Sequence, residues 1–202
     1  MAYRTISDTS ENKKLKISFN SPVILGFTII CFIAYILSVI THGATNRLFF
    51  SVYHSSLLSP LTYVRMFGHV FGHSNWNHFI GNITLLLVVG PLLEEKYGSS
   101  DIAVVIGSTA LITGLVHYIF FPFSALLGAS GVVFAFILLS SITSIKEGSI
   151  PLTFILVAIL YLGGEVVNGL FVHNNVSNLT HIIGGIVGAC FGYLIYKVSD
   201  KS

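Results

Sequence analysis

The sequence predicts an all-α polytopic membrane protein, a bundle of six transmembrane helices, and three observations carry that prediction. Of its 202 residues 53% are hydrophobic and only 9% charged, with a mean hydropathy of +0.85, whereas a soluble domain carries about a quarter charged residues. No Asp, Glu, Lys or Arg occurs between Asp101 and Lys146. Six stretches reach or approach the roughly twenty apolar residues a helix needs to cross the hydrocarbon core: residues 22–41, 76–93, 101–121, 126–145, 150–170 and 178–198. The net charge of +2 is small and the basic residues are scattered near helix ends, which argues against a nucleic-acid partner.

Each element follows from its local composition. The first apolar run comes after a polar tail, is long enough to span and lacks a small-residue cleavage site, so it reads as an uncleaved span and not as a signal peptide. The second span is the weakest: its strictly apolar part begins at Phe79, and its helix starts in the Asn75-Trp76-Asn77-His78 turn. Glu94, Glu95 and Lys96 then read as a solvated turn. The fifth span carries Glu165 toward its outer end, where it reads as a hydrogen-bonded interface residue, with a cavity wall or a gate as alternatives. His117 and His173 lie near helix ends, where interfacial solvation explains them. Cys31 and Cys190 both fall in apolar runs, the pattern of buried hydrophobes and not of a disulfide framework. The expected organisation is a cytoplasmic N-terminal tail (1–20), a six-helix membrane domain (21–198) and a cytoplasmic C-terminus (199–202).

Orientation follows from the excess of Lys and Arg on cytoplasmic loops. One side of the spans holds Arg4, Lys13, Lys14, Lys16, Lys96, Lys146, Lys197 and Lys201, and the other only Arg47 and Arg65. Both termini are therefore expected to be cytoplasmic. The even-numbered spans then start at the outer face, so His78, Asn82, Ser130 and His181 all arrive within the first turns below it. Four scattered polar residues at one depth point to one site.

Ser130 stands in Gly128-Ala129-Ser130-Gly131 at a helix start, where free N–H groups and the positive helix end suit an oxyanion. Small-residue clusters also simply pack transmembrane helices. His181 precedes Gly184 and Gly188, which share a face and permit close approach to a neighbouring helix. That helix can bring His181 against Ser130, although a neutral interfacial histidine has the same signature. His78 and Asn82 share a face four residues apart, and both can donate hydrogen bonds to developing negative charge. Helix-end capping is the plainer reading of that pair. His69 and His73 are also four apart, but no His-Glu-x-x-His motif or nearby acidic ligand accompanies them, and no metal or cofactor is expected.

Taken together, Gly128-Ala129-Ser130-Gly131, His78-Phe79-Ile80-Gly81-Asn82 and His181-Ile182-Ile183-Gly184 with Gly188 resemble the motifs of rhomboid intramembrane serine proteases, in the same order on spans four, two and six. The resemblance extends over about residues 60–195, including Arg65, the histidines before the second span and the Glu94-to-Gly98 segment. It implies a rhomboid-like bundle in which Ser130 is the nucleophile and His181 its general base and later general acid. It further implies that His78, Asn82 and the Ser130 N–H hold the oxyanion, with Gly128 and Ala129 beside them on the substrate-binding side. The residues agree with a dyad, since no Asp or Glu at that depth on these helices orients His181. The resemblance also implies that the first loop, residues 42–75, lies partly in the outer leaflet. Val64 precedes Arg65 where family members often have Trp, which bears on loop anchoring. Phe134 stands where many bacterial members have Tyr; it keeps a ring able to pack on His181 and lacks the hydroxyl.

The expected function is therefore hydrolysis of peptide bonds in or near transmembrane segments of other membrane proteins, and the expected partners are those substrates and the lipid bilayer. A catalytically silent relative that binds or escorts membrane clients is the alternative, and a small transporter a third. For so compact a six-span form the resemblance implies a prokaryotic plasma membrane.

Overall fold

A computed structural model describes residues 19–142, 152–157, 159–160 and 175–199. The elements are α1 (Pro22–Ile40), α2 (Ala44–Phe49), α3 (Pro60–Gly68), a 3-10 turn (His69–Phe71), α4 (Trp76–Tyr97), α5 (Ser99–Phe120), α6 (Ser130–Ile142), α7 (Leu152–Val157) and α8 (Asn175–Ser199). Among the described residues there is no strand, only an isolated antiparallel bridge between Val52 and Leu126. The protein is all-α. Helices α1, α4 and α5 are long and apolar enough to cross a membrane, and α6 and α8 carry the shorter apolar stretches Ser130–Ser141 and Leu179–Leu194. Of the fifth expected span only α7 and residues 159–160 are described, and Glu165 and His173 lie outside the described residues.

Helix α6 is apolar on every face, which marks a helix enclosed by protein. Every residue from Val132 to Leu139 is buried. By contrast α1 turns Ile29, Ile33, Val39 and Ile40 outward, as a helix bordering lipid does. The contact between α6 and α8 is the most extensive in the fold. It is a backbone contact: a Cβ on Gly184 would lie 2.8 Å from the carbonyl carbon of Gly131, and one on Gly188 would lie 2.6 Å from that of Ala135. Both pairs advance by four residues together, so the two helices run parallel in fixed register.

The segment 94–99 departs from the expected solvated turn. Glu95 and Lys96 are exposed, but Glu94 is only 4% exposed. Its carboxylate accepts hydrogen bonds from the backbone N–H groups of Val23 (2.9 Å) and Ile24 (3.0 Å) and from the Ser99 hydroxyl (2.7 Å). Helix α1 begins with Pro22 and Ser21 provides no side-chain cap, so two of its orphan N–H groups are satisfied from α4, about seventy residues away. Gly98, at φ +84°, is the single residue between α4 and α5 and allows the reversal that returns Ser99 to Glu94.

The first loop is a folded unit. Arg65 is buried, donates to Ser55 Oγ (2.8 Å) and Thr62 Oγ1 (3.2 Å), and lies over the Tyr53 ring at 4.4 Å. The anchoring thus falls to Arg65, while Val64 is exposed beside Tyr63 and Phe67. His69 is buried against α5, with Nε2 3.1 Å from the Ala110 carbonyl. His117, expected to be solvated, is also buried, with Nε2 3.1 Å from the Ser124 carbonyl. Both imidazoles lie within hydrogen-bond distance of backbone carbonyls.

Three outcomes are expected. Glu94→Ala leaves two α1 N–H groups uncapped and lowers unfolding free energy by about 2 kcal/mol, while Glu94→Gln keeps an acceptor and loses less; thermal unfolding in detergent checks both. Gly188→Val drives a side chain into the Ala135 backbone and lowers the melting temperature by more than Gly81→Val, a glycine with open space around it. Burial is the main cause that pushes the His69 and His73 imidazoles down to about 4 from 6.5. Their folded forms bind protons less readily than the unfolded chain does, so stability is full above 6.5 and falls as pH drops toward 4. Melting temperatures between pH 7 and pH 4 measure this, and His69→Gln flattens the slope.

Candidate active site

The site begins with the cap of α4. Asn75, in extended conformation, accepts the His78 N–H at 2.9 Å through Oδ1 and so starts the helix with His78 in its first turn. His78 Nδ1 lies 3.2 Å from Ser74 Oγ, and its ring meets His73 edge-on at 5.2 Å. One ring nitrogen is thereby engaged and the ring is held from two sides. The other nitrogen faces Gly128: a Cβ there would lie 2.8 Å from His78 Nε2 and 3.8 Å from Ser130 Oγ. Gly128 sits at φ +134°, a region L side chains rarely adopt, so geometry and space both require glycine. The imidazole edge and the serine hydroxyl flank the same small space.

One turn beyond His78, Asn82 is buried, and its side-chain nitrogen has no hydrogen-bond partner. A buried orphan donor costs about 1–3 kcal/mol. It is available to an acceptor that the folded chain does not itself supply.

Ser130 is the first residue of α6 and partly exposed, while Ala129 before it is fully buried. The approach to it is fixed from the first loop. Val52 and Leu126 exchange backbone hydrogen bonds of 2.9 Å, and the Gly128 N–H donates to the His69 carbonyl at 2.9 Å. The segment entering α6 is thus tied to the first loop by its backbone, and by His117 through Ser124.

His181 comes from α8, which begins at Asn175, earlier than the expected start at 178. In the parallel register set by Gly184 on Gly131, a residue three positions before Gly184 stands level with the start of α6. Its ring stacks on Phe134, one turn after Ser130, with centroids 4.4 Å apart and planes 5° from parallel. His181 and His78 are also close enough to interact electrostatically. The described acidic residues, Glu94, Glu95 and Asp101, lie at the opposite end of α4 and the start of α5. Among the described residues a flat aromatic contact, and not a carboxylate, orients the ring.

The fold therefore brings His78, Gly128, Ser130 and His181 into one region below one end of the bundle, with Asn82 a turn further along α4. The His69 ring is turned to the Ala110 carbonyl, while His73, with Nδ1 3.2 Å from the Phe71 carbonyl, sits edge-on to the His78 ring. Sequence reasoning placed the helix start at the Asn75 turn but missed Ser74, which holds the His78 ring, and the cap that Asn75 gives the His78 N–H. The Asn-x-x-His spacing of a helix cap was the available signal.

Comparison with known proteins agrees with this geometry. The Rhomboid domain family model matches residues 60–198. The chain is similar to Rhomboid-related protein 2 of Mus musculus, 30% identical over 167 residues covering 72% of this chain and 55% of that protein. It is also similar to Rhomboid-related protein 1 of Caenorhabditis elegans, 30% identical and covering 67% of this chain and 41% of that protein. Rhomboid-like protein 11, chloroplastic, of Arabidopsis thaliana is 27% identical, covering 65% and 52% respectively. The chain spans about half the length of these relatives. All three are eukaryotic, so they lend no support to a prokaryotic source. With the matched region running from the first loop through α8 and enclosing every residue of the site, the chain belongs to the rhomboid family of membrane proteins.

Proposed function

We propose that the chain is an intramembrane serine endopeptidase that hydrolyses peptide bonds in or near transmembrane segments of other membrane proteins. The observation that carries the reading is the register of α6 and α8, which stations His181, stacked on Phe134, at the Ser130 end of α6. In this reading His181 takes the Ser130 Oγ proton as the oxygen attacks the scissile carbonyl carbon. The oxyanion formed accepts hydrogen bonds from the Ser130 N–H at the positive end of α6, from His78 and from the Asn82 amide. His181 then gives its proton to the leaving amine, and a water molecule, deprotonated by the same imidazole, releases the acyl group from Ser130. No metal or cofactor enters. Gly128, with no side chain between His78 and Ser130, and the backbone of Ala129 form the substrate-binding side in this reading, and a substrate helix unwinds locally to expose its carbonyl.

The asymmetry of Lys and Arg supports cytoplasmic termini and a site that opens to the outer face, where the water for hydrolysis enters.

Cleavage of a model transmembrane substrate in liposomes tests the proposal. Ser130→Ala and His181→Ala, each still folded, are expected to lower kcat by about a thousandfold or more. A wild-type protein that cuts nothing across a panel of substrates, and resists labelling by a serine-directed fluorophosphonate, would instead be a silent relative that holds membrane clients.

A further inference from the structure

A cavity of about 580 Å³ lies between the first loop and the segment that leads into α6. It is separate from the Ser130 space but adjoins it twice. Leu127 lines it and immediately precedes Gly128, and Ser74 lines it and holds His78 Nδ1. We propose that this cavity is a specificity pocket for an acidic side chain of the substrate, with Arg47 as the counter-charge; the assignment rests on the protease reading above.

The argument is electrostatic and geometric. Arg47 is exposed at the cavity wall and is the one described lining residue charged at every working pH. Both walls come from stretches without a carboxylate: no Asp or Glu occurs from Ser21 to Leu93, or from Ile102 to Ile145. Among the described lining residues none carries a carboxylate to compete for the guanidinium. Ser51, Tyr53 and Ser124 add hydroxyl groups able to donate to a carboxylate. A lysine on the substrate would meet a like charge there, and an aliphatic side chain would gain nothing from the guanidinium.

The wall residues Ser124 to Leu127 stand three to six positions before Ser130 in the chain, so the pocket borders the segment that leads to the nucleophile, and scanning the substrate identifies the position it receives. Arg47 is a specificity residue and touches no reacting atom.

The test uses the full chain in liposomes with model transmembrane substrates that differ only by Glu, Gln or Lys at positions scanned on both sides of the scissile bond. At one position wild type is expected to rank Glu over Gln over Lys in kcat/KM by about two- to fivefold per step, the scale of one partly exposed ion pair. High salt compresses the ranking. Arg47→Lys preserves the order and Arg47→Glu inverts it, an inversion that loss of folding does not produce. No discrimination at any position overturns the proposal while leaving the protease reading intact. A change of all three substrates in equal proportion in Arg47→Glu, dependent on anionic lipid content, also overturns it and assigns Arg47 to lipid headgroups. Where wild type cuts none of the substrates, the protease reading fails. The same peptides, fluorescently labelled and titrated onto Ser130→Ala protein, then decide the pocket by whether Glu binds more tightly than Lys.

Discussion

The backbone contact between α6 and α8 is the constraint on which the site depends. Two glycines four residues apart on α8 have no side chain to hold the helices apart, and each lies against a main-chain carbonyl of α6. In a bilayer no hydrophobic force distinguishes a helix neighbour from a lipid tail, so close packing of this kind supplies much of the association. It also fixes register more tightly than side-chain packing can, because a slip of one residue would bring a Cβ onto backbone. His181 inherits its depth from that register. The flat contact with Phe134 packs the His181 ring at that depth along α6.

The other wall is built by a different principle. The segment entering α6 has no regular structure of its own, yet its backbone is held by the first loop through Val52 and His69 and by α5 through His117. The first loop is in turn knitted around Arg65. The ties from Val52 and His69 run main chain to main chain, and His117 and Arg65 add side-chain hydrogen bonds. One half of the site is therefore set by the absence of side chains and the other by hydrogen bonds along an irregular segment. This explains why the motif residues alone, transplanted to another bundle, would not specify their own geometry.

How much of this was legible in the sequence divides along the same line. The helices that carry His78, Ser130 and His181 were readable because they follow from apolar length and from the spacing of small residues on one helix. The family motifs were readable for the same local reason. Glu94 and His117 were misread because a polar residue near a helix end was equated with a solvated one. Their partners, the N–H groups of Val23 and Ile24 for the one and the Ser124 carbonyl for the other, leave no local pattern. The cavity beside Arg47 is of the same kind, since its walls are brought together by tertiary pairing of the first loop with residues 122–127.

The unpartnered amide of Asn82 fits this picture of a site prepared before its ligand arrives. A buried donor without an acceptor destabilises the folded chain by about 1–3 kcal/mol, and cheaper residues could occupy that turn of α4. Its neighbour His78 is treated differently: Ser74 and His73 hold its ring, so its free edge is fixed before any charge develops. Under the proposed chemistry both donors stand ready where negative charge appears on the substrate carbonyl. Little reorganisation then remains for the reaction itself, and in a site of low dielectric that readiness is worth more than the same hydrogen bonds would be in water. The cost in stability and the gain in reactivity are the same feature seen in two states.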